Sequence, residues 1–321
     1  MQKNSFSYKL TAEQQNQLEQ HLRTGNYRPC TVPHTRIAVD ANDCRINLYN
    51  SGKCLVQGKG ASDWVTFVLE PSILKEVSLG YEDLLSPELL QPHMGIDESG
   101  KGDFFGPLVI AAAYVDPPAV EALRDINVRD SKNIRSDRSI STMARDIRRI
   151  LSGRYTLVPI GPAAYNRLHQ QMGTVNKILA WGHARAIENL LEKVPDCPRA
   201  VADQFGPRHQ IERALLKKGR AIKLEQRHKA ESDPAVAAAS ILAREGFIQG
   251  LRKMQDRYKT EIPRGASARV KSIAGELARA HGASVLNRTA KCHFKTTDEV
   301  LHAIGSDRSA LAQETPQGSA A

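Results

Sequence analysis

The hydrophobic and polar positions fall into two successive patterns. In the first, Thr11 stands three residues before Gln14, a capping-box spacing, and predicts a helix to about Arg23 that Gly25 ends. Three short strand-like runs follow, Thr35–Val39, Arg45–Tyr49 and Cys54–Gln57. Asn50-Ser51-Gly52 joins the last two as a hairpin. A further helix is expected over Ala61–Val68. Helix, strands and helix in so short a stretch predict a small α+β domain over residues 1–75. Gly80–Pro92, polar with two prolines, reads as a loop or linker, and the linker is set at 76–93.

From Met94 the pattern changes. Pro107–Val115 is a continuous apolar run, expected to be a buried strand; Arg154–Ile160, Ala200–Phe205 and Ala221–Glu225 also read as strands. Helical periodicity lies between them, over Ser141–Leu151, Ala163–Gln171, Asn176–Lys193 and Gln210–Lys217, and again from Ala235 to about Tyr258. Alternating strands and helices predict an α/β domain, a central sheet covered by helices, over 94–304. The segment from 305 to 321, rich in Ser, Ala, Gln and Gly, is expected to be disordered.

Composition narrows the class. Hydrophobic residues at 41% and charged residues at 25% exclude wholesale disorder and collagen-like or disulfide-scaffold architectures. The longest uncharged, largely apolar run, Phe104–Tyr114, is about half of what a bilayer crossing needs. The N-terminal MQKNSFSYKL has no apolar signal core, so a cytoplasmic protein is expected, without membrane association. The five cysteines form no CxxC pair and support neither a zinc site nor disulfides. The net charge of +10 is unevenly placed. Residues 1–90 hold nine Lys/Arg against ten Asp/Glu, and residues 91–321 hold 36 against 25. That surplus favours a polyanionic partner for the second domain.

The chemistry concentrates in Gly95-Ile96-Asp97-Glu98-Ser99-Gly100-Lys101-Gly102-Asp103-Phe104-Phe105-Gly106-Pro107. Gly95 to Lys101 fits part of a P-loop. Gly102 nevertheless stands where Ser or Thr should bind magnesium, and Asp97 and Glu98 would repel nucleotide phosphates, so no nucleotide cofactor is expected. Carboxylates instead suit a hard cation such as Mg²⁺ that bridges them to a phosphate. Gly100 and Gly102 would let the backbone approach a ligand. Asp203, set within an apolar strand, needs a partner or a metal. Asp233-Pro234 is a helix start with Asp as cap, which leaves Glu231 the less explained acid and the better ligand candidate, with Asp233 as its alternative.

Four ordered motifs carry a resemblance: DESGKGDFFGPLV, DSK (Asp130–Lys132), DQF (Asp203–Phe205) and KAESDPAVAAASILAR (Lys229–Arg244). Together they resemble the type 2 ribonuclease H family, on its ribonuclease HIII branch. Further likenesses are Tyr165-Asn166, NKILAWGHARAIENL (Asn176–Leu190) and AKCHFKTT (Ala290–Thr297). INLYNSGKCLVQGKG resembles a TATA-binding-protein-like, substrate-binding domain, so the implied fold is a ribonuclease H-like α/β domain preceded by that small one. The resemblance implies endonucleolytic cutting of RNA in RNA/DNA hybrids by a monomer with two divalent ions, Mg²⁺ or Mn²⁺. By resemblance the carboxylates are Asp97, Glu98, Asp203 and Glu231. Ser99, Gly100, Lys101, Gly102, Lys132 and Asn166 meet the substrate.

Overall fold

The computed structural model describes residues 4–41, 43–74, 90–128, 134, 136–203, 211, 213–215, 219, 222–227 and 230–312; Pro71, Arg227 and Glu231 are described by their backbone alone. The segment Asp130–Lys132, most of the linker and half of the predicted helix Gln210–Lys217 therefore lie outside the described residues, and of that helix Ile211, Arg213 and Ala214 are helical. The chain forms two compact units, Met1–Leu90 and Gln91–Ala321.

The first unit is an antiparallel sheet in the order β1-β5-β4-β3-β2, built from β1 (Ser5–Lys9), β2 (Arg28–Pro29), β3 (Thr35–Asp40), β4 (Arg45–Tyr49) and β5 (Lys53–Gln57). Helix α1 (Ala12–Thr24) starts with the expected reciprocal bonds between Thr11 and Gln14. Helix α2 (Ala61–Trp64) continues with π-type hydrogen bonding over Val65–Leu74. Both helices bury Leu18, Leu22, Trp64 and Leu69 with Phe6, Ile46, Leu48 and Val56 of the sheet. The first strand was not foreseen: it adds to the sheet edge beside β5 through Phe6 and Tyr8, a short alternation easily missed at a chain end.

The second unit has a mixed sheet in the order β10-β9-β6-β7-β8. Strands β6 (His93–Ser99), β7 (Leu108–Val115) and β8 (Tyr155–Ile160) form an antiparallel meander, while β9 (Arg199–Asp203) and β10 (Lys223–Arg227) run parallel to β6. Helices α3 (Pro117–Asp125) and α4 (Asp137–Leu151) follow β7, and α5 (Pro162–Met172) and α6 (Val175–Leu191) follow β8. One face of the sheet buries Met94, Ile96, Leu108 and Ile110 against Ile178, Leu179 and Ile187 of α6.

The other face takes the long helix α7 (Pro234–Tyr258). Its first turns are Ala-rich, which lets backbone meet backbone. A Cβ on Gly95 would lie 2.1 Å from the Val236 nitrogen, so no side chain fits there. Short helices α8 (Ala268–His281), α9 (Val285–Thr289) and α10 (Lys295–Ala303) follow, none foreseen from the sequence. The described chain continues past Gly305 in a 3₁₀ turn, Arg308–Leu311, with Arg308 bonded to Asp298 and to the Cys292 carbonyl.

Candidate active site

Gly95–Ser99 is strand, and after the loop Gly100–Pro107 a second strand follows rather than a helix. The P-loop spacing is thus a coincidence of sequence. Strand alternation turns Asp97 toward α7, where the Ser240 hydroxyl bonds it, and turns Glu98 toward α6, where His183 Nε2 donates to Glu98 Oε2 at 3.0 Å. Pairing of β6 with β9 runs from Met94↔Ala200 to Ile96↔Ala202. Asp97 and Asp203 are the next residues in that register, at the point where β9 ends and β6 continues. Val201, Ala230 and Val236 pack together on the same face, which seats the turn Ala230–Ser232, and with it Glu231, beside the end of β9.

Asp233 has another job. Its Oδ1 accepts from the amides of Ala235 at 2.9 Å and Val236 at 3.3 Å, the N-cap expected from Asp-Pro. The carboxylate also faces His93 Nε2 at 2.9 and 3.0 Å, and the other ring nitrogen of His93 lies 2.6 Å from the Gln91 carbonyl. Asp233 and His93 are both buried. This carboxylate joins the start of α7 to the start of β6.

Electrostatics separate the adjacent acids. Burial, together with the charge of Glu98, pushes Asp97 up to about 6. Burial would raise Glu98 too, but the His183 hydrogen bond and charge, assisted by Lys101, outweigh it and hold Glu98 below its ordinary value. Lys101 Nζ stands 3.8 Å from Glu98 Oε1, with its side chain 43% exposed. Among the described residues no three His, Cys, Asp or Glu side chains form a metal cluster by themselves, and the side chain of Glu231 lies outside that description. The donor set still fits a hard divalent cation: partly buried carboxylate oxygens whose mutual repulsion a positive ion relieves.

The loop after β6 explains its glycines unequally. Gly100 has φ +91°, and a Cβ there would lie 2.3 Å from the Pro107 carbonyl. Gly102 is exposed, and open space surrounds its Cβ position. Packing therefore demands Gly100 and makes no demand on Gly102. Ser99 ends β6, and Lys132 lies outside the described residues. Asn166 does not stand with the acids. Its side chain is 8% exposed, with Nδ2 donating to the Ala290 carbonyl at 2.9 Å and Oδ1 accepting from the Cys292 amide at 2.9 Å. Among the residues to which sequence reasoning gave no role is His183, within the quoted Asn176–Leu190; its signal was a histidine on the apolar face of a helix.

The ribonuclease HII family profile matches residues 94–297. The chain belongs to the ribonuclease HII family. A domain of unknown function, DUF3378, matches residues 5–76 ahead of it. Ribonuclease HIII of Protochlamydia amoebophila is 41% identical over 276 residues, covering 86% of this chain and 90% of that protein. Ribonuclease HIII of Chlamydia pneumoniae is 38% identical over 297 residues, covering 92% and 97%. Among solved structures, Bst-RNase HIII in complex with Mn²⁺ superposes with a TM-score of 0.65 at 27% identity, covering 93% of this chain and 98% of that one. The chain is thus a ribonuclease H enzyme on the HIII branch, and the mixed sheet with its small N-terminal domain agrees with the expected fold class. No helix among the described residues is long and apolar enough to cross a membrane.

Proposed function

We propose that the end of β6 is the centre at which the RNA strand of an RNA/DNA hybrid is hydrolysed, leaving 3′-hydroxyl and 5′-phosphate ends. The observation that carries this reading is the register that sets Asp97 beside Asp203, with Glu98 on the adjoining position and the glycine loop immediately after. Asp97, Glu98, Asp203 and Glu231 would hold two divalent ions. When bound, such ions lower the pKa of an attacking water and stabilise charge on the departing oxygen.

The remaining work belongs to the chain itself. His183 keeps Glu98 ionised and oriented. Ser240 and the Glu98 amide, which donates to Asp97 Oδ1 at 2.8 Å, fix the other carboxylate. Lys101 stands over the site as an exposed cation for a backbone phosphate. The tip at Gly102 is bare enough for main chain to touch a 2′-hydroxyl, the group that distinguishes RNA from DNA. The N-terminal unit anchors substrate, a role that rests on the resemblance of its hairpin.

The test is cleavage of a labelled RNA/DNA hybrid with and without Mg²⁺ or Mn²⁺, in the native protein and in Asp97→Asn. Metal-dependent cutting that Asp97→Asn abolishes supports the reading. Cutting undiminished by excess EDTA overturns the chemistry, and binding without cutting leaves a hybrid-binding protein.

A further inference from the structure

Beneath the loop that follows β6 lies a lysine for which the chemistry above has no use. Lys291 has no solvent exposure. Its Nζ donates to the main-chain carbonyls of Asp103 and Gly106 at 2.8 Å each and lies 3.3 Å from that of Phe105. Its backbone amide donates to the Phe104 carbonyl at 2.8 Å. One residue thus gathers four consecutive carbonyls, Asp103 to Gly106, and the ammonium spends all three of its donors on the loop.

The arrangement is costly and braced. Burial pushes Lys291 down to about 7, against the pull of the Asp103 carboxylate, so the fold keeps a polar amine, charged or neutral, where an apolar side chain would be cheaper to bury. The Tyr165 ring lies 5.9 Å from Nζ on the far side, and the neighbouring His293 is itself pushed down by burial and by nearby charges that include Lys291. Asn166 grips the chain on both sides of Lys291, at the Ala290 carbonyl and the Cys292 amide. A second hold comes from Gly265, whose amide donates to Asp103 Oδ1 at 2.7 Å while its carbonyl accepts from Phe104 at 2.9 Å. The trailing half of the loop is therefore fixed from below, and the exposed tip at Lys101 and Gly102 projects from a rigid base.

We propose that Lys291 is a positioning residue for RNA recognition: by fixing Asp103–Gly106 it places the Gly100–Gly102 tip where a 2′-hydroxyl can be told from a hydrogen. The inference rests on the ribonuclease H reading of that loop. It assigns the buried lysine to choice of nucleic acid, and the acids of β6 to bond breaking.

One assay tests it, with the full-length protein in Mg²⁺. Hybrid cleavage gives kcat and KM, and a DNA duplex of the same sequence, added as competitor, gives its inhibition constant. The variants are Lys291→Met, which keeps length but no donor, and Lys291→Gln, which keeps two N–H donors and guards against a Met variant that fails to fold. Melting curves and circular dichroism establish the fold of each. The expected result for Lys291→Met is a rise of about tenfold in hybrid KM, with kcat and the DNA constant each within about threefold of native. Lys291→Gln is expected to move the same way by a smaller factor. A folded variant in which KM and the DNA constant rise together, or in which neither moves, overturns the assignment. A native protein that cuts no hybrid overturns the ribonuclease H reading itself, before any variant is compared.

Discussion

Burying the Asp97 carboxylate beside Glu98 has a measurable price in stability. In the folded chain Asp97 titrates at about 6 against an ordinary 3.8, chiefly through burial and secondly through Glu98. Between those two values the folded state binds more protons than the unfolded one, so stability falls as pH rises through that window and stays lower above it. A difference of this size corresponds to about 3 kcal/mol at most, and partial solvent access to the carboxylate brings the expectation to about 1.5–3 kcal/mol. Asp97→Asn removes the charge and keeps an oxygen for the Glu98 amide. At pH 8 in EDTA it is expected to melt higher than native by about 3–12 °C, using about 2–4 °C per kcal/mol for a domain of this size. Near pH 4 the difference should vanish.

Metal reverses the comparison. An ion that binds only the folded native site at a hundred times its dissociation constant adds about 2.7 kcal/mol. Mg²⁺ should therefore close the gap in native protein and do little for Asp97→Asn. Scanning calorimetry at pH 4, 6 and 8, in EDTA and in Mg²⁺, makes the measurement. An Asp97→Asn variant no more stable than native at pH 8 without metal would refute the argument that the Asp97 charge is held in place against its burial and the repulsion of Glu98.

Gly102→Ala should leave stability within about 0.5 kcal/mol, since open space surrounds that position, while hybrid KM rises several-fold in steady-state cleavage. Asp233→Ala should cost about 2–4 kcal/mol in denaturant unfolding, the cap plus a stranded His93. Asp233→Asn, which can still cap, should cost less. Glu231→Gln should leave the melting temperature almost unchanged while activity collapses; a dead Asp233→Asn beside an active Glu231→Gln would move the fourth ligand. His183→Gln removes the group that holds Glu98 low, so burial prevails, the Glu98 pKa rises, and the acid limb of the rate profile should shift to higher pH.

Much of the second domain was legible because its strands are continuous apolar runs and its helices are long. Pro107–Val115 became Leu108–Val115, and Ala235–Tyr258 became Pro234–Tyr258. The strand β6 read only as a motif, because its second half is Asp-Glu-Ser; it is strand because β7 and β9 pair with it on both sides. Helix α8 carries Val270, Ala274, Leu277 and Ala278 at helical spacing, but small side chains among basic ones give a weak apolar signal. Residues 305–312 looked too polar for order, yet Arg308 ties them to Asp298 and Cys292.

The site divides along a similar line, for a reason of energetics. Asp97, Glu98 and Asp203 stand out in the sequence because acids interrupt apolar strands and glycines follow. His183, Lys291 and His93 do not, since each meets its partner across a long stretch of chain, and sequence reading assigned Asn166 and Asp233 other roles than the partners they meet in the fold. The Lys291 bonds span 185 residues or more, and the bond from His183 to Glu98 spans 85. In the fold these groups become conspicuous, because a polar group without solvent is tolerated only when something answers it. Each secures one element of the site: His183 the Glu98 carboxylate, His93 and Asp233 the start of α7 against β6, Asn166 and Lys291 the loop. Such independent pinning is what lets like charges stay adjacent at the end of β6. Were the acids themselves needed to hold the strands together, neutralising one would loosen the fold, whereas here it should tighten it.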